Sequence, residues 1–141
     1  MSKKKLKFNI LSPKSKQEFP MASQVMAGFP SPAEDFLECG LDLNDYLIKH
    51  PAATFFVRVE GDSMVGAGIH TGDILIVDRS LEPRHNSVVI AVIDGDFTVK
   101  KLKKEKGKIF LMPENENYSP IELSDQELII WGVVTNVIHE L

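Results

Sequence analysis

Short apolar runs separated by turn residues dominate the chain from Thr54 onward, and they limit its possible folds more than any other feature. The runs DILIVD (73–78) and SVVIAVI (87–93) are rich in β-branched residues, as buried strands are. Asp94-Gly95 follows the second run and signals a hairpin, because this dipeptide accepts positive φ at little cost. Since strands do not alternate with long helices, we predict a mainly β fold, mostly antiparallel and partly closed, with about seven short strands.

The predicted helices lie on the N-terminal side of these strands. We expect residues 31–40, SPAEDFLECG, to form a helical turn, because Ser31 can cap it and Gly40 can end it. Asp42 is expected to cap a second helix over residues 43–50, whose apolar side chains follow the three- and four-residue spacing of one helix face.

Residues 1–32 differ in composition from the rest of the chain. Lysine is frequent at their start, and four of the eight prolines lie among them. Such a segment buries too little apolar surface to order itself, so we predict a flexible or loosely docked arm. Residues 33–141 then form the β domain.

Charge and cysteine content exclude several classes of protein. The net charge of −4 argues against strong direct binding to nucleic acid by broad phosphate neutralisation. The single cysteine, Cys39, rules out an intramolecular disulfide and has no evident base beside it, so we do not expect it to be a nucleophile. Since no stretch approaches the roughly 18 apolar residues that span a bilayer, we expect a cytoplasmic protein without membrane contact.

The sequence carries no common signature of a metal or histidine-based site. The four histidines, at positions 50, 70, 85 and 139, lack the close spacings that place two ligands on one metal. We therefore expect neither a metal nor another cofactor. A Ser-His-Asp triad is conceivable, but nothing selects a pair among the candidates His70, His85, Asp73 and Asp78.

Ser63 lies between an alternating apolar run and a glycine-rich turn, where an ordinary turn serine is common. A nucleophilic serine needs a base, and FTVKKL (97–102) places Lys100 and Lys101 within an apolar strand. Neighbouring side chains on a strand point to opposite faces, so one lysine points inward if that sheet buries a face, and burial lowers a lysine pKa. Strand parity does not choose between the two lysines. Alternatively, both lie on a solvated edge strand.

Four ordered motifs resemble the LexA/UmuD family of self-cleaving Ser-Lys proteases, the S24 peptidases. They are GDSM at residues 61–64, then "GI..GD.LIVD", "DG.FTVKKL" and "P.N..YSPI". The resemblance implies that Ser63 is the nucleophile and Lys100 the general base. It also implies that the cleaved bond joins Ala27 and Gly28, within the chain's own arm.

The motifs are most similar to the branch of this family that serves error-prone bacterial DNA polymerases. That similarity implies a homodimer and self-cleavage stimulated by a RecA filament on single-stranded DNA during the SOS response. The trimmed form, residues 28–141, would join a Y-family, UmuC-like polymerase for translesion synthesis. Only 27 residues precede Gly28, too few for the helix-turn-helix domain of a repressor. The alternative is an interaction module that binds polymerase or RecA without needing proteolysis.

Overall fold

The computed structural model describes residues 7–10, 17–22, 37–123 and 129–141. These residues form one helix, α1 (Leu43–Leu47), and two short 3-10 turns, Pro51–Ala53 and Val65–Ala67. In this described part of the chain, no helix has the length and apolar character needed to cross a membrane. The strands, in chain order, are β1 (Lys7–Ile10), β2 (Glu18–Ala22), β3 (Leu37–Asp42), β4 (Thr54–Arg58), β5 (Ile74–Asp78), β6 (Val88–Ile93), β7 (Asp96–Glu105), β8 (Lys108–Met112), β9 (Ile121–Leu123) and β10 (Ile129–Ile138).

The chain divides into two compact units, one of residues 12–49 and one of residues 1–11 with 50–141. In the larger unit, eight strands form one sheet in the order β1-β4-β5-β10-β6-β7-β8-β9. In the smaller unit, β2 and β3 form a two-stranded sheet. All of these strand pairs are antiparallel, which confirms the predicted mainly β, antiparallel class. The eight-stranded sheet is open, with β1 and β9 at its edges.

Two of the predicted local signals have the expected geometry. Asp94 and Gly95 both have positive φ, 49° and 81°, and they join β6 to β7 in a tight hairpin. The Asp42 side chain caps α1 by accepting a hydrogen bond of 2.9 Å from the Asn44 N–H. The helix is shorter than predicted, because Ile48 already has an extended backbone.

The predicted helical turn over residues 31–40 is wrong in its last four residues, which belong to β3. In β3, the backbone of this segment pairs with β2. Such pairing between strands overrides a weak local preference for helix. Residues 31–36 and the predicted boundary at residue 32 lie outside the described residues. The range predicted as an arm also contains β1 and β2.

The apolar runs of the central strands are continuous because both faces of the sheet are covered. On β6, the fully buried Val89 and Ile90 point to opposite faces and belong to two different hydrophobic clusters. Leu102 of β7 and Leu111 of β8 are fully buried in the cluster that contains Val89. Packing in these clusters fixes the positions of β6 and β7, and with them the side chains on these two strands.

Trp131 of β10 is the only tryptophan of the chain, and it lies between aromatic and cationic neighbours. Its ring meets Phe55 and Phe97 edge to face, with centroid distances of 5.1 and 5.8 Å. The Arg79 guanidinium lies over the ring at 4.4 Å, and its Nε donates a hydrogen bond to the Trp131 carbonyl. This arrangement connects β4, β7 and β10 within the large sheet.

Candidate active site

Ser63 lies in the segment that leads from β4 into the Val65–Ala67 turn. Two backbone hydrogen bonds fix its turn to the segment after β8: Glu114 N–H donates to the Ser63 carbonyl at 2.8 Å, and Gly66 N–H donates to the Glu114 carbonyl at 2.7 Å. A Cβ on Gly66 would lie 2.6 Å from that carbonyl oxygen, which explains why glycine occupies this position. Both backbone groups of Glu114, its N–H and its carbonyl, therefore hold the turn that carries Ser63.

Lys100 lies in the middle of β7, which pairs with β6 on one side and β8 on the other. Only 8% of the residue is exposed, and its Nζ donates a hydrogen bond of 3.0 Å to Ser63 Oγ. Burial disfavours the ammonium and lowers the pKa of Lys100 below its ordinary value of 10.5. Lys101 instead forms an ion pair of 2.9 Å with Glu114. The structure thus brings Lys100, and not Lys101, to the serine.

A cavity of about 320 Å³ opens beside the two side chains. Tyr118 lines it, with its ring centroid 5.6 Å from Lys100 Nζ. The Tyr118 hydroxyl donates a hydrogen bond of 2.7 Å to Asp62, next to Ser63, and this bond raises the pKa of Tyr118. Asn115 Nδ2 donates to the Asp62 carbonyl at 2.9 Å. The segment after β8 therefore contacts the serine turn through side chains as well as backbone.

Sequence reasoning did not single out Asn115 or Tyr118 as part of the site. Their only signal was the motif "P.N..YSPI" of the family resemblance, in which both residues stand. Glu114, beside them, was missed for a different reason: its contribution is largely made by backbone atoms, which every residue type except proline supplies.

The other sequence candidates make contacts elsewhere. His85 accepts a hydrogen bond from the Lys104 N–H, and His50 pairs with Asp78 at 2.6 Å. Cys39 lies in β3. Ala27 and Gly28, the expected cleavage site, lie outside the described residues.

Outside the cavity, the described residues include one set of potential metal ligands. The set consists of His70, Asp73 and His139, with one ligand atom of each within 4.8 Å of the others. Sequence spacing did not reveal this set, because most of the β domain separates His70 from His139 in the sequence.

Sequence comparison relates the chain to known proteins. The family model described as "Peptidase S24-like" matches residues 20–135. Protein SamA of Salmonella typhimurium is 53% identical over 114 residues, which are 81% of this chain and 79% of that protein. Protein ImpA of Escherichia coli is 49% identical over 118 residues, 84% of this chain and 81% of that protein. LexA repressor of Shewanella piezotolerans is 42% identical over 122 residues, 85% of this chain but 59% of the repressor. By its sequence, the chain belongs to the peptidase S24-like family.

Proposed function

We propose that this chain is a self-cleaving serine endopeptidase of the SOS response, with Ser63 as its nucleophile and Lys100 as its general base. One observation carries the proposal: the 3.0 Å contact between Lys100 Nζ and Ser63 Oγ. A serine hydroxyl is a weak nucleophile until a base takes its proton, and a buried lysine with a lowered pKa is such a base. Membership of the peptidase S24-like family supports the same chemistry.

In the proposed reaction, the neutral amine of Lys100 removes the proton from Ser63 Oγ as this oxygen attacks the carbonyl carbon of Ala27. The bond between Ala27 and Gly28 breaks, and the new amine of Gly28 takes the proton from the Lys100 ammonium. Water then attacks the ester between Ala27 and Ser63, with Lys100 acting again as the base. The products are residues 1–27 and residues 28–141, and Ser63 is restored.

The hydrogen bonds around the serine favour this reaction over a passive role for the turn. Lys100 is fixed on a central strand, and the Ser63 turn is fixed to Glu114 by two backbone bonds. Such preorganisation keeps the nucleophile and the base within reach of each other before any substrate segment enters.

The proposed biological role is that of a switch which acts once. We propose that a RecA filament on single-stranded DNA stimulates self-cleavage, and that residues 28–141 then join a Y-family polymerase as a homodimeric accessory subunit. The similarity to proteins ImpA and SamA over most of both chains supports placing this chain with them.

Incubation of the purified full chain at alkaline pH tests the catalytic part of the proposal, because alkali deprotonates Lys100. We expect a fragment whose first residue is Gly28, identified by gel and mass spectrometry. Ser63→Ala and Lys100→Ala should each abolish it. Lys101→Ala is the matched control, because it removes the neighbouring lysine and only a partly exposed ion pair, and it should cleave at close to the wild-type rate.

Wild-type chain that stays as intact as Ser63→Ala would contradict the proposal and favour the interaction module without proteolysis. Cleavage that persists in Lys100→Ala but stops in Lys101→Ala would show that Lys101, and not Lys100, is the base. The partner is tested separately by a pull-down with residues 28–141. Failure to retain a Y-family polymerase from cells with damaged DNA would remove the proposed role and leave the peptidase chemistry intact.

A further inference from the structure

Two histidines and one aspartate, distant in sequence, meet at the end of the β5–β10 pair. The register places Ile138 opposite Ile74, so the next residues outward, His139 and Asp73, also face each other. His70 belongs to the turn just before β5 and completes the group. One ligand atom from each of the three side chains lies within 4.8 Å of the others.

Asp73 is the buried centre of this group, with 3% of its side chain exposed. One carboxylate oxygen lies 2.5 Å from His139 Nδ1. The other accepts a hydrogen bond of 2.8 Å from the His70 N–H and lies 3.8 Å from His70 Nδ1. Burial alone would raise the pKa of Asp73, but these hydrogen bonds hold it below its ordinary value. Asp73 thus presents one carboxylate oxygen to each of the two histidines.

The two imidazoles give the group an open side. Their ring centroids are 5.1 Å apart, and 50% of the His70 side chain and 43% of the His139 side chain are exposed. Asp73 and His139 also line a cavity of about 290 Å³. A hydrated ion can thus reach the ligands from solution, and the cavity has room for the water that would complete its coordination.

We propose that His70, Asp73 and His139 form a binding site for a divalent transition-metal ion, with Zn²⁺ as the best match. Two imidazoles and a carboxylate suit zinc, which binds such ligands at about 2.0–2.2 Å, whereas Ca²⁺ and Mg²⁺ prefer oxygen ligands alone. Binding replaces the short contact between His139 and Asp73, since two ligands of one ion stand farther apart than 2.5 Å.

Such an ion would connect the end of β10 to the turn of residues 70–73. That turn is already bonded to the segment before Ser63: Thr71 Oγ1 accepts from the Gly61 N–H at 3.0 Å and donates to the Gly61 carbonyl at 2.9 Å. Asp73 adds its carbonyl, which accepts from the Val59 N–H at 2.9 Å. The site therefore stabilises the fold near the serine without taking part in bond cleavage.

The chain contains a matched control for a simple histidine–aspartate pair. His50 Nδ1 lies 2.6 Å from Asp78 Oδ2, and the two side chains are 50% and 5% exposed, nearly as in the pair of His139 and Asp73. Among the described residues, no third ligand joins that pair to make a metal site. A difference in metal binding between the two pairs therefore measures the contribution of His70.

The test is a titration of the metal-free full chain with Zn²⁺ by calorimetry at neutral pH, and with Co²⁺ by absorption spectroscopy. We expect one Zn²⁺ per chain and the absorption bands of Co²⁺ bound to imidazole nitrogen. His70→Ala and His139→Ala should each bind at least about tenfold more weakly, while His50→Ala should match the wild type. At the same Zn²⁺ concentration, the melting temperature should also rise more for the wild type and His50→Ala than for the other two variants.

Both histidines are about half exposed, so these variants should fold, and melting in the presence of a chelator verifies it. Three outcomes would overturn the proposal: a wild type that takes up no stoichiometric Zn²⁺, a His70→Ala variant that binds as tightly as the wild type, or His50→Ala weakening binding as much as His139→Ala. None of these readouts depends on self-cleavage, so the metal site and the peptidase stand or fall independently.

Discussion

Gly66→Ala should slow self-cleavage without changing either proposed catalytic side chain. The added Cβ would lie 2.6 Å from the Glu114 carbonyl oxygen, whereas ordinary contact begins at 3.4 Å. The Ser63 turn and the Glu114 segment must therefore separate by about 0.8 Å, and displacements of that size cost about 10²-fold in rate. The same movement weakens the two backbone hydrogen bonds between these segments, which predicts a loss of about 1–3 kcal/mol in the free energy of unfolding.

The rate is measured by gel at an alkaline pH where the wild type cleaves, and stability is measured by urea unfolding. Val65→Ala is the control next to it, because its side chain is 37% exposed and its backbone bonds do not change. We expect the control to cleave within about threefold of the wild type, since exposed truncations have small effects. A folded Gly66→Ala chain that cleaves as fast as this control would refute the idea that Glu114 positions Ser63.

Three further predictions follow from burial and charge. Self-cleavage should rise about tenfold per pH unit from neutral pH up to the pKa of Lys100, which burial lowers from 10.5, and a rate independent of pH would exclude Lys100 as the base. Leu102→Ala should lose about 2–5 kcal/mol of unfolding free energy in urea, because Leu102 is fully buried, and a loss below about 1 kcal/mol would contradict the packing described for β7. Burial alone would raise the pKa of Asp78, but the hydrogen bonds from Ser80 and His50 outweigh this effect, so the net pKa is lowered. The ionised carboxylate therefore stabilises the fold above the unfolded pKa of about 3.9, and this stability is lost as the pH falls through the folded value. The destabilisation by Asp78→Asn should thus be larger at pH 6 than at pH 3, and an equal effect at both would argue against the shift.

Local chemistry explains which parts of the fold could be predicted. The hairpin at Asp94-Gly95 and the cap at Asp42 depend on residues adjacent in sequence, and both were foreseen correctly. Residues 37–40 were misassigned because their strand depends on β2, which the local pattern cannot reveal. β9 was missed because three residues are too few to show an alternating pattern.

The candidate site shows a different limit. Strand parity showed that Lys100 and Lys101 face opposite ways, but parity does not say which face is covered. Which lysine becomes buried depends on the neighbours β6 and β8 and on the turn that brings Ser63 to β7. The meeting of His70 with His139 is equally non-local, because it depends on the register between β5 and β10.

The position of Trp131 has a practical consequence for following the protein in solution. Phe97, which meets the indole edge to face, also lines the cavity beside Ser63. Because this indole is the only one in the chain, intrinsic fluorescence excited at the tryptophan band has a single source. A peptide that enters the cavity and moves Phe97 would change the emission of that source. The protein therefore carries its own optical reporter of cavity occupancy, with no need for an attached dye.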